Sequence, residues 1–582
     1  MTATRQDEFL NLPFEAKLEF LYGLPARQKL DLILSAPEAE RLVQSFTPET
    51  LFYTLKEIGI SDSGDLLSLA VPEQIKGLFD LDCWERDRPN LNRMREWIEA
   101  MSDAGRKRLA DGLMELDTEM MALLLRQYFR VHRLDDPQSF SDAPSDRFIQ
   151  LDEHYLIEFA RHDAILQYLV DFLEEVFERD YTYFTALMEE IYWGVEAELE
   201  EEAYQFRRSR LSDRGFPDFF EAQNVFAYID PSRFVDIRAT YEPPSRADQL
   251  RDDEAVAPEF APAIANSDNS LFNTALTAGF AAQGRRQLRS EMALVSNQVL
   301  VARAVDFGDL DAVRVAVEMT HDYLNLALEH LAGGDLSNAI EHLRATHLTL
   351  LFRLGVSLTV DLRTRAQEVV AELGLDPANT RRIVYLDSPY GEALAGFLER
   401  QPRFFGGLDS SGTPAGRDFR AMRDLHLAYA ILEQVRSMRA LFRELFDVDI
   451  ASAAFRGQAA GREVRLGQIL LTAFVRATLD NAVSPAPIEP ARLNEMYAAV
   501  MSSGGRPARL SGTFHARIDE LLARRLSEET RNRSGDFVNA CLNVLEDELA
   551  ELDPRTPIDP RFILSVLVGR DNPQSSNNGS HS

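Results

Sequence analysis

The sequence predicts a mostly α, multi-helical protein, and three observations carry that reading. Prolines recur about every dozen residues through the first eighty, each ahead of apolar residues at helical spacing. Stripes of the same period fill most of the remaining chain, and one stretch, 148–160, shows the shorter period of a strand. At 582 residues the chain is too long for one hydrophobic core, so two to four domains or a repeat array are expected.

The proline beats are Pro13, Pro25, Pro37, Pro48 and Pro72, with Ser61 to Gly64 occupying the empty place between the last two. Proline fits the first helical turn because its missing N–H would have no partner there, and Thr47 before Pro48 supplies an N-cap. Helices of about nine residues are unstable alone in water and must stack to bury a shared seam. Residues 8–140 therefore read as a superhelical array of short helices. The "LP…LL…PE" rhythm resembles the cytosolic N-terminal helical domain of magnesium transporters over roughly residues 10 to 130. That likeness implies the shape of an interaction module. No transporter membrane domain follows.

Residues 145–242 read as a β-hairpin followed by long acidic, aromatic helices. "FIQLDEHYLIEFA" (148–160) turns at Asp152-Glu153, and as a strand it separates Glu158 from His162, which with His154 would share a face on a helix. Between residues 151 and 202 lie about 16 carboxylates against two arginines, interleaved with aromatic residues that include Trp193. Two readings stay open: a docking face for a basic partner, or aromatic core beneath a solvated acidic surface. Trp193, Glu196, Glu198, Glu200, Glu201 and Glu202 are the candidate partner-binding residues. The clusters Gly105–Arg108 ("GRKR") and Arg207–Arg210 ("RRSR") are short, sit among acids and read as solvated surface.

Residues 243–270, rich in Pro, Ala, Asp and Ser, read as a linker or long loop; 271–570 as an all-α domain; and 571–582 as a disordered tail. Within the all-α part, "ALEHLAGGDLSNAIEHL" (327–343) is expected to be a helical hairpin: Gly333-Gly334 ends one helix, Asp335 or Ser337 caps the next, and Ala339, Ile340 and Leu343 face back onto Leu326, Ala327 and Leu331. Its spacing is similar to one tetratricopeptide-type unit, which implies that His330 packs at the hairpin contact.

A metal site is the rival reading of this stretch, with Glu318, His321, His330 and His342 as candidate ligands. The spacing is poor. His342 and His347 are about 140° apart on a helix, and Glu318-x-x-His321 is one half of a di-iron motif that needs a second pair. Phosphate-loop, dinucleotide, zinc-protease and serine-nucleophile motifs are absent. "DFGDLDA" (306–312, with Asp306, Asp309 and Asp311) resembles a calcium loop in composition only, and "GGLDSSGTPAGRDF" (406–419) reads as a flexible loop. No cofactor is expected.

The net charge of −32, roughly −23 of it within residues 1–250, opposes nucleic-acid binding. Apolar runs of about seven residues are far below the roughly 20 that cross a bilayer. Cys83 and Cys541, far apart in sequence, and a charged N-terminus without a leader's apolar segment point to the cytoplasm. Taken whole, the chain resembles a family of uncharacterised bacterial proteins filed as a domain of unknown function. "SLAVPEQIKGLFDLDCW", "LEEEAYQFRRSRLSDRGFPDF", "VLVARAVDFGDL", "YLNLALEHLAGGD" and "LDSPYGEALAGFLERQPRFF" carry the likeness. It implies a bacterial cytoplasmic protein and brings no activity or site residues. The expected function is a helical scaffold or regulatory protein acting through a protein partner. The alternative is a divalent-metal-dependent enzyme or sensor with a site assembled from distant carboxylates and histidines.

Overall fold

Every beat of the proline rhythm opens a helix. In this computed structural model α1 is Ala3–Leu10, α2 (Phe14–Leu21) follows Pro13, and α3 (Ala26–Ser35) follows Pro25. Then α4 (Ala39–Gln44) begins two residues after Pro37, α6 (Gly64–Leu67) fills the beat without proline, and α5 (Pro48–Ile58) and α7 (Pro72–Asp82) start on theirs. Thr47 caps α5 as expected, its Oγ1 accepting from Thr50 N at 3.2 Å. Gln74 works in two directions: its Oε1 accepts from Val71 N at 3.0 Å, and its Nε2 donates to the carbonyls of Val43 and Phe46 at 2.8 and 2.7 Å. One buried amide thus starts α7 and ties it to the end of α4. The stack then buries its seam, with α5 lying between α3 and α7 and Leu51, Phe52 and Leu55 fully inside. The array continues through α8 (Leu91–Ser102), α9 (Arg106–Met114) and α10 (Thr118–Leu125).

The structure describes residues 3–21, 24–102, 105–134, 147–242, 270–375, 385–408, 414–452, 454–455, 464–502, 508–553 and 555–569. The expected linker at 243–270, apart from Ser270, and the expected tail at 571–582 lie outside them. The chain divides into two compact units, Met1–Val356 and Ser357–Ser582.

The short-helix array is not helical throughout 8–140. A tight ribbon, β1 (Trp84–Glu85) with β2 (Arg88–Pro89), follows α7, and β3 (Phe129–Arg133) follows α10. The predicted hairpin forms from β4 (Phe148–Ile149) and β5 (Tyr155–Phe159), but β5 is the central strand of three, in the order β3-β5-β4. Val131 faces Ile157 on one side and Ile149 faces Ile157 on the other. β3 is short, five residues that alternate Phe129 and Val131 inward with Arg130 outward, and a stretch of that length shows its period only once β5 is beside it. Glu158 lies on the strand and pairs with His132 across it at 3.0 Å, while His162 lies beyond the strand, so the His154–Glu158–His162 face does not exist.

Three acidic helices follow: α11 (Leu166–Arg179) against α9, α12 (Tyr181–Trp193) against α10 and β3, and α13 (Glu196–Asp213) against α10 and β2. Short α14 (Phe219–Ala222) and α15 (Phe234–Thr240) precede α16 (Leu271–Gly279), α17 (Ala282–Ala302), α18 (Leu310–Ala332), α19 (Leu336–Ala345) and α20 (Leu348–Glu372). The predicted helical hairpin is α18–α19. Gly333 adopts a left-handed conformation with φ 61°, and Asp335 caps α19 by accepting from Asn338 N at 2.8 Å. Ala339 and Leu343 are buried as expected. Gly355 in α20 lies so close to the carbonyl of Tyr323 that a β-carbon would overlap it, which fixes the crossing of α20 on α18.

The second unit is mostly helical, with α21 (Tyr390–Phe397), α22 (Met422–Phe446), α23 (Leu466–Leu479), α24 (Leu493–Val500), α25 (Gly512–Arg525) and α26 (Glu528–Ala550). The all-α expectation for 271–570 is corrected here, because β6 (Phe404–Leu408) and β7 (Pro414–Arg417) form an antiparallel ribbon from much of the stretch read as a loop. Arg417 anchors it by stacking 4.5 Å over Phe404 and forking onto Asp424 at 2.7 Å twice. α22 and α23 both pack against α26. Among the described residues no helix is long and apolar enough to cross a membrane.

Asp387 reaches from the segment before α21 to the first turn of α23, where Oδ2 accepts from Gly467 N at 2.6 Å. Burial pushes its pKa up from 3.8 to about 6 against that bond. The fold therefore favours the protonated acid. Its stabilising contribution is present below 3.8 and lost as pH rises through about 6. At neutral pH the charge costs up to roughly 3 kcal/mol. Asp387→Asn keeps an acceptor for Gly467 and carries no charge, so it should raise the melting temperature of the second unit at pH 7 and leave it unchanged at pH 4; calorimetry across that range measures the difference.

Candidate functional site

The two sides of α13 differ in charge rather than in apolarity. Only Leu199, Ala203 and Leu211 are buried apolar residues among its eighteen. Arg207, Arg210 and Arg214 continue the same side at intervals of three and four. Arg210 forks twice: Nε and Nη2 donate to Asp80 at 2.8 and 2.7 Å, and Nη1 and Nη2 donate to Asp117 at 2.9 and 2.6 Å. Arg207 donates from Nε to the carbonyl of Asp80 at 2.7 Å and lies 5.0 Å over the Trp84 ring; burial pushes its pKa down to about 10. Arg214 stands 3.9 Å from both Glu49 and Asp80. Glu49 is buried, and desolvation raises its pKa against the pull of Arg214. The solvated-surface reading of Arg207–Arg210 holds for Arg208, which is exposed and pairs with Asp218 at 3.0 Å, and fails for Arg207 and Arg210. Acids 90 or more residues away in sequence draw those two inward.

A second buried carboxylate, Asp82, lies nearby on α7. It accepts from Trp97 Nε1 at 2.9 Å, Lys56 Nζ at 3.2 Å and Arg93 Nη1 at 3.5 Å. Arg93 also forks onto Asp306 at 2.9 and 2.5 Å. The aspartates of "DFGDLDA" are thus spent separately: Asp306 on Arg93, and Asp309 as the cap of α18. Asp311 is exposed and pairs with Arg314.

The glutamates that open α13 have no such partners, although Glu196 and Glu200 share the stripe of Ala203, Arg207 and Arg214 and only Glu198, Glu201 and Glu202 lie on the outer side. Glu196, Glu198, Glu201 and Glu202 are exposed and Glu200 is half-buried, and among the described residues none of the five forms an ion pair. Glu201 only accepts from Gln205 one turn on, at 2.6 Å. At the N-terminal end of this acidic strip Trp193 is 66% and Val195 54% exposed. At its other end a cleft of about 290 Å³ opens between α13 and α14, walled by Gln205, Arg208, Ser212, Asp213, Asp218 and Glu221. Phe219 and Phe220 stand on α14, the latter 84% exposed. Trp193 and the five glutamates were legible as a surface. Phe206, Phe219 and Phe220 were not singled out, although "PDFF" carried a signal: two aromatics directly after a capping Asp218, with no periodic apolar partner.

The metal candidates are dispersed. His321 is buried on α18, with Nε2 3.1 Å from Asn273 Oδ1 and 3.4 Å from Ser270 Oγ, and its ring meets Phe272 edge-on. It helps join α16 to α18, with Glu318 half-buried one turn before. His330, expected at the hairpin contact, is exposed in the last turn of α18, on the side turned away from that contact. His342 on α19 places Nδ1 3.3 Å from Arg238, and burial and that cation lower its pKa. Among the described residues no three His, Cys, Asp or Glu side chains are gathered to hold an ion.

Removing the guanidinium of Arg210 strands Asp80 and Asp117 beneath α13. Arg210→Met should cost about 3–5 kcal/mol, against less than about 1 kcal/mol for Arg208→Met at the exposed pair. Urea unfolding of the two variants measures both, and equal effects would remove the inward assignment.

No curated protein and no solved structure matches the chain, and the likeness to magnesium transporters is not shown. The family model described as "Family of unknown function (DUF6178)" matches residues 6–569, nearly the whole length, and the chain belongs to that family.

Proposed function

We propose that this protein is a cytoplasmic helical scaffold or regulatory protein that holds a basic protein partner on the outer side of α12 and α13. One observation carries the reading: five glutamates within seven residues form no ion pair among the described residues, beside a tryptophan that is 66% exposed. Unpaired like charges crowded into two turns of one helix repel one another, and a cationic partner relieves that cost while speeding encounter. Charge alone binds weakly in physiological salt, so the affinity comes from apolar contact, which Trp193 and Val195 supply. The two cysteines, both free and buried, support a reducing compartment.

Affinity purification from native cells at low salt should recover basic proteins. The variant with Gln at 196, 198, 200, 201 and 202 keeps a helix-forming side chain at each place and should lose that capture. With the purified partner, Trp193→Ala should weaken binding by about 2 kcal/mol, close to 30-fold. Undiminished capture by the five-glutamine variant would count against the reading.

A further inference from the structure

We propose that α13 is a releasable strap, a helix latched by buried arginine–carboxylate pairs that leaves the short-helix array as a unit while the helices beneath it stay folded. Eighteen residues bury only Leu199, Ala203 and Leu211 from the apolar class, whereas α10 beneath buries Met120 to Leu125 without a break. Little hydrophobic energy therefore resists departure. The remaining grip is Arg207, Arg210 and Arg214 on Asp80, Asp117 and Glu49.

Such pairs respond differently to truncation and to release. Cutting one partner leaves the other charge buried and alone, which is expensive. Lifting the whole helix returns both partners to water, and the recovered hydration offsets most of the lost attraction. The latch is therefore specific in position yet weak against release of the helix as a whole. What release uncovers is defined: Trp84 of β1, which is 5% exposed and lies under Arg207 and near Tyr204, together with Asp80 and Asp117. The surroundings suit a detachable element. A hinge is available at each end, Gly194 after α12 and Gly215, with φ 84°, after α13. Elements with low local stability of this kind are those that open under native conditions. The strap stands whether or not its outer side docks a partner.

Thiol labelling of the full chain tests it. Ala203, fully buried on the inner side of α13, and Ala110, fully buried in α9, are each replaced by Cys, and modification is read peptide by peptide. Ala203→Cys should react at least ~100-fold faster than Ala110→Cys in buffer without denaturant. Adding Arg210→Met should accelerate the first and leave the second unchanged. Equal rates at the two positions would overturn the strap, as would acceleration of both by Arg210→Met, since either means that α13 leaves only when the unit unfolds. If the Arg210→Met chain does not fold, the comparison with Arg210 intact decides alone.

Discussion

The guanidinium of Arg210 lies between two carboxylates, Asp80 at the end of α7 and Asp117 at the start of α10, and donates two hydrogen bonds to each. That double fork joins elements that sequence places far apart: a helix from the proline-timed stack, the last helix of that stack, and an acidic helix a hundred residues on. A guanidinium suits this task because its donors are planar and rigid, so both carboxylates must be in place at once. Lys76, 3.3 Å from Asp117, and Arg207 on the Asp80 carbonyl complete the junction. The stack's individual helices are too short to persist alone, and their register depends on such ties as well as on the apolar seam.

The same chemistry divides the surface from the interior. The first unit is strongly acidic, yet two of its buried acids are well served: Asp80 by Arg210, Asp82 by Lys56, Trp97 and Arg93. Among the described residues Glu196, Glu198, Glu200, Glu201 and Glu202 of α13 form no ion pair. A long helix whose inner side carries arginines as well as apolar residues, with Glu198, Glu201 and Glu202 outward, inverts part of the usual amphipathic pattern. Two consequences follow from that inversion, a surface that attracts cations and a helix attached by pairs that hydrate readily on release.

Parts of this were legible in one dimension. Proline acts on its own backbone and the next turn, so Pro13, Pro25, Pro37, Pro48 and Pro72 announced helix starts without help from the fold. Gly333-Gly334 and Asp335 did the same for the α18–α19 hairpin. Other parts were not. β3 was hidden inside the helical array and the β6–β7 ribbon inside an apparent loop, because a four- or five-residue strand acquires its hydrogen bonds from a partner elsewhere. "RRSR" read as surface because its acids come from α7 and α10.

Periodicity, caps and breakers determined which segments are helices, where the hairpins turn and that the chain is acidic and mostly α, since each of these acts within a few residues. Which side of α13 faces inward, which acids are neutralised, and that His321 is committed to Asn273 rather than gathered with Glu318, His330 and His342, were decided only by tertiary structure. A charged side chain reads the same in sequence whether water or a buried counter-ion solvates it, and only the packed arrangement supplies one or the other.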